Sequence, residues 1–425
     1  MGGSLLPVST ADPEFSMKKF DLLLTGMCLS RALSGLIMTA YAAALAVLME
    51  DWSMSAARSG SIASGFHLGN TVSLVGVSWL ADRLGPKRLY LGLMSLSGLF
   101  SLAFALMARG YYSGLILYTL LGLALGGTYT TGLMILTDQY RPEKRGRAMG
   151  LFVASTSLGY SSSLVVSGLA LPIGGYKLSF LLCGLGPALG AGLSWYILSG
   201  VTVSWPERLS SQRFSGEVLR NRPAMLLIGG YTFHNFELLG MWAWTPAFIA
   251  ACFIAAGSDG MEAAGLSSYL NAAFHLTGLI ASTSMGMLSD RLGRARVIVT
   301  MATISAICSF IFGWTMGWPV YLVVAMGLIY AFSALGDSPV LSAGLSEAVP
   351  PAYLGSALGL RSLLGFGIGT IAPIAFGAIL DTFGRGAEGW GMAYGLLGLS
   401  GLGAVVVGVM FAWTRTGTSG KRVFR

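Results

Sequence analysis

Twelve mainly apolar runs fill this chain, over residues 20–48, 58–80, 89–108, 111–137, 147–171, 177–200, 224–255, 265–288, 297–317, 319–346, 354–380 and 388–413. An α-helix of about 20 apolar residues is long enough to cross the hydrocarbon core of a bilayer. Inside that core each backbone N–H and C=O must be satisfied within the protein, which selects helices for runs of this length. The expected fold is therefore an all-α membrane protein with twelve transmembrane helices. Only 10% of the 425 residues are charged, whereas a soluble domain carries about 25%. That is too few to cover the surface of a soluble fold. A cytosolic enzyme and a nucleic-acid-binding protein are excluded on this ground. Membrane lipid is the expected neighbour of most of the surface, and no nucleic acid partner is expected.

The placement of charge gives an orientation. The longest polar break, 201–222, divides the runs six and six. If the N-terminus is inside, the inner segments hold 20 of the 26 Lys and Arg. The outer loops then hold Arg58, Arg109, Lys177 and Arg385, and Arg31 and Arg361 lie within runs. Basic residues concentrate on the cytoplasmic side of membrane proteins. Both termini are thus expected in the cytoplasm and the protein in the inner (plasma) membrane. The net charge of +8 becomes a topology signal. The expected organisation is a tail over 1–19, a six-helix half over 20–200, a cytoplasmic linker over 201–222, a second half over 223–413 and a tail over 414–425. Residues 1–16 lack the basic start and apolar core of a signal peptide, and Met17-Lys18-Lys19 reads as a natural start ahead of the first run. The four cysteines, Cys28, Cys183, Cys252 and Cys308, fall in apolar runs without metal-like spacing and read as small core residues.

An internal repeat relates the halves. At an offset of 208, Phe66-His67-Leu68, Leu80, Asp82-Arg83-Leu84-Gly85 and Arg88 fall on Phe274-His275-Leu276, Leu288, Asp290-Arg291-Leu292-Gly293 and Arg296. Two parallel six-helix repeats place a binding site at their interface, near the bilayer midplane. The loop sequence Gly286-Met287-Leu288-Ser289-Asp290-Arg291-Leu292-Gly293-Arg294-Ala295-Arg296, with the basic stretch Arg141–Arg147, resembles the motifs of the major facilitator superfamily of secondary transporters. The first copy departs from that pattern, with Ser78 for the first glycine and Pro86 for the arginine. The resemblance spans about residues 20 to 413 and implies two pseudo-symmetric halves that rock about a central cavity. It also implies a conformational role for Asp82, Arg83, Gly85, Arg88, Asp290, Arg291, Gly293 and Arg296. The two acids, at helix ends, are suited to accept hydrogen bonds from a neighbouring helix N-terminus. The Gly-Pro pair that one antiporter subset carries in its fifth span is absent from 147–171.

A charge within hydrocarbon is costly and usually faces the protein interior with a partner. The charged residues clearly inside runs are Arg31, Glu237, Asp337 and Arg361, and all three histidines, His67, His234 and His275, lie in runs too. At about 1.5 Å per residue, Arg31 and Glu237 both come near mid-membrane. The resemblance implies that their spans face each other, which makes them a candidate pair between the halves. His234 lies three residues before Glu237, on the same helix face. Asp337 and Arg361 have similar depths on neighbouring runs and read as a structural ion pair or a gate. Tyr41 and Trp242 are candidate cavity aromatics.

These residues support a secondary transporter for a small organic anion, driven by protons or by exchange. Arg31, His67, His275, Tyr41 and Trp242 are the candidate substrate contacts. His234 and Glu237 are the candidate proton-coupling groups, since histidine titrates near neutral pH. A proton-coupled exporter of drugs or lipophilic metabolites is an alternative suited to the 20 methionines. A transition-metal transporter using the histidines and Glu237 is another. No phosphate-binding loop of the Gly-x-x-x-x-Gly-Lys-Ser/Thr type occurs. No nucleotide, other cofactor or resident metal is expected, and the expected state is a monomer.

Overall fold

The computed structural model describes residues 13–203, 216–350 and 353–419, and within these it leaves several side chains undescribed, Asp82 among them. The distal parts of both expected tails and residues 204–215 of the expected linker lie outside the described residues. The helices in order are α1 (Pro13–Gly35), α2 (Ala40–Asp51), α3 (Ala56–Leu84), α4 (Pro86–Met107), α5 (Tyr111–Gln139), α6 (Pro142–Leu198), α7 (Gly216–Arg220), α8 (Arg222–Ala255), α9 (Gly260–Leu292), α10 (Arg294–Phe312), α11 (Val320–Gly336), α12 (Ser338–Ala348), α13 (Leu354–Gly369), α14 (Ala372–Phe383) and α15 (Ala387–Ser419). Nine helical segments of the described residues are long and apolar enough to cross a membrane.

Each run read from the sequence falls on one of these helices or on a consecutive pair. Helix α6 carries two runs, because the chain reverses at Gly174–Gly175, where Gly175 has φ 64°. A positive φ of this kind favours glycine over any residue with a Cβ. The first run breaks between α1 and α2, the tenth at Asp337-Ser338-Pro339, and the eleventh between α13 and α14 ahead of Pro373. A proline cannot supply the N–H that would continue the helix through it.

Helices α1 to α6 pack chiefly on one another, as do α8 to α15. Small residues set the spacing inside each group. A Cβ on Gly122 of α5 would overlap the Phe66 carbonyl of α3, and one on Gly127 would meet Val77. A Cβ on Gly186 of α6 would overlap the Leu33 carbonyl of α1. Helix association in lipid depends on such close packing, because lipid tails offer no hydrophobic driving force between helices. Gly122→Leu is therefore expected to lower Tm in detergent, by a penalty of about 1–3 kcal/mol or more for overpacking a rigid contact. An unchanged melting curve would show that α3 and α5 are free to separate there.

Among the described residues, the close contacts between the two groups gather at one end. There α14 lies on α3, α6 lies on α9, and α2 lies on α8 and α9. A Cβ on Gly60 would strike the Pro373 carbonyl, and one on Gly377 the Ala56 carbonyl. Gly168 of α6 packs against the ring of Tyr269 on α9, and Gly265 of α9 against Pro172. All of these residues lie toward the turns at 52–55, 174–175 and 384–386. At the opposite end, toward 201–222, neither α1 nor α12 packs closely on the other group. The two halves part in that direction.

Candidate functional site

The site is built where the halves begin to part. Arg31 sits on α1, four residues before the helix ends at Gly35. It is 8% exposed. Its Nε donates to Thr156 Oγ1 at 2.9 Å and its Nη1 to Thr128 Oγ1 at 3.0 Å. The guanidinium also lies over the rings of Tyr129 (5.5 Å) and Phe152 (5.8 Å). These partners are neutral. They fix the direction of the charge without cancelling it. Among the described residues no carboxylate comes within ion-pair distance of Arg31.

Glu237 does not reach it, which corrects the expected pair between the halves. The carboxylate is buried and turns toward α10 and α15 of its own half. Its Oε1 accepts hydrogen bonds from Ser305 (2.6 Å) and Ser309 (2.7 Å) on α10. Tyr330 Oη lies 2.7 Å from Ser309 Oγ, and Gly401 of α15 leaves room for the second carboxylate oxygen. The rotation of α8 about its axis points this residue toward α10 and away from α1.

The pairing of Asp337 with Arg361 is corrected too. Asp337 ends α11, and its Oδ1 lies 2.8 Å from His234 Nδ1 on α8, with both residues buried. The contact is at ion-pair distance, and its attraction is strongest when the imidazole is charged. Arg361 turns instead to Ser342 Oγ, 2.6 Å from its Nη1, and stacks 4.2 Å over the ring of Tyr231. His234 and Glu237 share a helix but address different neighbours, α11 and α10.

A second cluster lies nearer the sealed end. Tyr160 of α6, Trp242 of α8 and His275 of α9 meet with centroid distances of 5.3 to 5.9 Å, across the boundary between the halves. Trp242 and His275 also line a small cavity of about 10 Å³ with Asn271, Thr245 and Leu335. That is room for roughly one water molecule. His67, the repeat partner of His275, is half-buried with its ring against Phe66. Tyr41 lies in the packed core, where its ring meets Tyr118 and its hydroxyl donates to the Ser59 carbonyl at 3.0 Å. It presents no free polar group to a cavity.

The repeated loops share a backbone. Gly85 has φ 79° and Gly293 φ 91°, each ending one long helix and starting the next. Asp290 does not cap a neighbouring helix. It pairs with Arg294 at 2.6 Å, and Arg294 also reaches Glu347 on α12 at 2.9 Å. Pro86 stands where Arg294 would be, so the first copy lacks the arginine of this bridge. Arg83, Arg88, Arg291 and Arg296 are exposed.

A carboxylate on a neighbouring helix N-terminus does occur, at the opposite end of the molecule. Asp381 of α14 accepts from the Ala56 N–H (2.7 Å) and the Ala57 N–H (2.9 Å), the first residues of α3. Arg385 follows, with Nη2 3.5 Å from the Met54 carbonyl. Sequence reasoning passed over Asp381 because it falls one residue beyond an apolar run. Thr128 and Thr156 were missed as well, since isolated threonines in apolar runs carry no signal of their own.

The sequence profile of the Major Facilitator Superfamily matches residues 27–271 and 253–424. The chain belongs to this superfamily. It is accordingly an integral multi-pass membrane transporter, and not an enzyme. A gallate transporter of Pseudomonas putida is 25% identical over 84% of each chain. A hexuronate transporter of Bacillus subtilis (strain 168) is 23% identical over 92% of this chain and 95% of its own. A crystal structure of a point mutant of the nucleoside transporter NupG superposes with a TM-score of 0.74 at 15% identity, covering 92% of this chain and 99% of that one.

Proposed function

We propose that this transporter carries a small organic anion by alternating access, with Arg31 as the principal substrate contact. The observation that carries this reading is the uncompensated charge of Arg31. A buried guanidinium held only by neutral threonines and aromatic rings is poised for an anion, and membrane-buried charges mark substrate pathways. The gallate and hexuronate relatives are named for carboxylate substrates, in keeping with that chemistry.

The excess of Lys and Arg at the linker end supports a cytoplasmic location for that end. The parted end then opens inward, and the end closed by Asp381, Gly60 and Gly377 faces outside. Transport requires the closed end to open and the parted end to close. His234 and Glu237 serve as the proton-coupling groups. His234 holds Asp337 at the break in the tenth span, where a change of charge on the imidazole alters the contact between α8 and α11. His275 and Trp242 contribute the substrate contacts nearest the closed end. The alternative of a metal substrate has less behind it, since no group of three His, Cys, Asp or Glu is placed to hold a metal among the described residues.

The test is uptake into proteoliposomes of radiolabelled gallate, glucuronate and nicotinate, with glucose and nicotinamide as neutral controls. At least one of the carboxylates is expected to accumulate, and a pH gradient, acid outside, is expected to raise its rate. Movement of neutral solutes without any of the anions would overturn the anion assignment.

A further inference from the structure

Arg361 lies on α13, in the half opposite Arg31. Among the described residues no carboxylate stands within ion-pair distance of it. The acid expected to pair with it, Asp337, is occupied by His234. Its Nη1 donates to Ser342, its guanidinium stacks on Tyr231, and its Nε is buried without a partner. A buried charged donor with no acceptor is unfavourable, and in a membrane span it points to a functional role.

Arg31 shows the same pattern from the first half, with its donors resting on threonine hydroxyls. Tyr129 of α5 connects the two. Its ring lies under Arg31, and it is within electrostatic reach of both Arg361 and Tyr231. The two cations, each stacked on a tyrosine of its own half, therefore lie on opposite sides of the boundary near Tyr129. Any motion that brings the halves together at this end brings two like charges together, and their repulsion grows as the boundary loses water. A single carboxylate on Arg31 leaves Arg361 uncompensated. A molecule with an anionic group at each end satisfies both.

We propose that Arg361 is a second substrate-binding residue, and that the preferred substrate carries two anionic groups, one for each arginine. This rests on the anion-transport reading above and narrows its substrate class to small dianions. Ser342 and Tyr231 hold the guanidinium in place on its own half, so that it meets the substrate without a carboxylate to release first.

Matched ligand pairs test this on the full-length protein in detergent, by ligand-induced thermal shift at constant ionic strength. The pairs are butyrate with succinate, valerate with glutarate, and benzoate with terephthalate. For the wild type, the dianion of at least one pair is expected to half-saturate at a concentration lower by about tenfold or more. Arg361→Gln is expected to bring that ratio to about one while keeping the response to the monoanion, which also shows that the variant is folded. If Arg361→Gln does not fold, Arg361→Lys decides. A preference reduced roughly threefold or more supports the proposal, since lysine lacks the guanidinium fork, and an unchanged preference overturns it. Equal binding of both members of every pair by the wild type, or a preference that survives Arg361→Gln, overturns the two-anion proposal and leaves the anion reading standing. Absence of binding by every anion removes that reading and this one together.

Discussion

Replacing Asp381 with alanine is expected to open the sealed end of the bundle. This carboxylate caps α3 from the other half of the molecule, accepting from the N–H groups of Ala56 and Ala57. The first N–H groups of a helix have no acceptor within it, and a negative charge beside them also meets the positive end of the helix dipole. Hydrogen bonds to a charged group contribute about 1.5–3 kcal/mol when well shielded. Asp381 is exposed, so a total near 1–2 kcal/mol is the better estimate, allowing for solvent. Because the capped helix and the capping residue belong to different halves, this energy acts on the equilibrium between the closed and open forms of that end. About 1.4 kcal/mol shifts such an equilibrium tenfold. Spin labels at positions 58 and 382, in a background with Cys28 replaced by serine, measure the separation of α3 from α14. Asp381→Ala is expected to add a population at longer distance, and Asp381→Glu to retain most of the short one. Identical distance distributions for all three proteins would mean that the glycine contacts alone close this end.

The second large effect is expected at Arg31. Arg31→Ala should reduce substrate uptake by about 10- to 150-fold, the equivalent of the 1.5–3 kcal/mol that a charge-assisted hydrogen bond provides. Arg31→Lys should fall between, because lysine keeps the charge but cannot contact Thr128, Thr156 and an anion with one planar group. The reading depends on the loss being in binding and not in folding. Arg31 contacts four side chains of its own half, so the melting temperature of each variant has to be measured beside its uptake. Uptake by Arg31→Ala equal to that of the wild type would remove Arg31 from the site.

The difference between what the sequence disclosed and what it concealed has a geometric cause. Apolar runs, the central polar break and the repeated Asp-Arg-Leu-Gly report position along the chain and depth in the membrane. These are the coordinates a linear pattern carries, so the helical elements were legible. Pairing between helices depends on rotation about each helix axis, and here that information is missing. Glu237 and His234 lie three residues apart, and this separation turns one toward Ser305 and Ser309 and the other toward Asp337. A sharper reading could have used Ser305 and Ser309, which are spaced four apart on one face of the ninth run, the spacing of two hydroxyls that converge on one acceptor. Nothing comparable marks Asp381. Its role comes from a backbone approach at Gly60 and Gly377 that becomes visible only when two distant helices are placed together.

The Gly174–Gly175 reversal has a practical bearing on handling the protein. It lets α6 turn without a loop, and the other connections at the sealed end, 52–55, 108–110, 256–259, 316–319 (after a 3-10 turn over Gly313–Thr315) and 384–386, are none longer than four residues. A protease or an antibody fragment approaching from that side finds almost no extended chain to grip. The polar segment between the halves, by contrast, carries arginines at 208, 213 and 220, each followed by a residue other than proline. Trypsin added to one side of a reconstituted vesicle should therefore distinguish right-side-out from inverted molecules by whether that segment is cut, giving a handle on sidedness that needs no knowledge of the substrate.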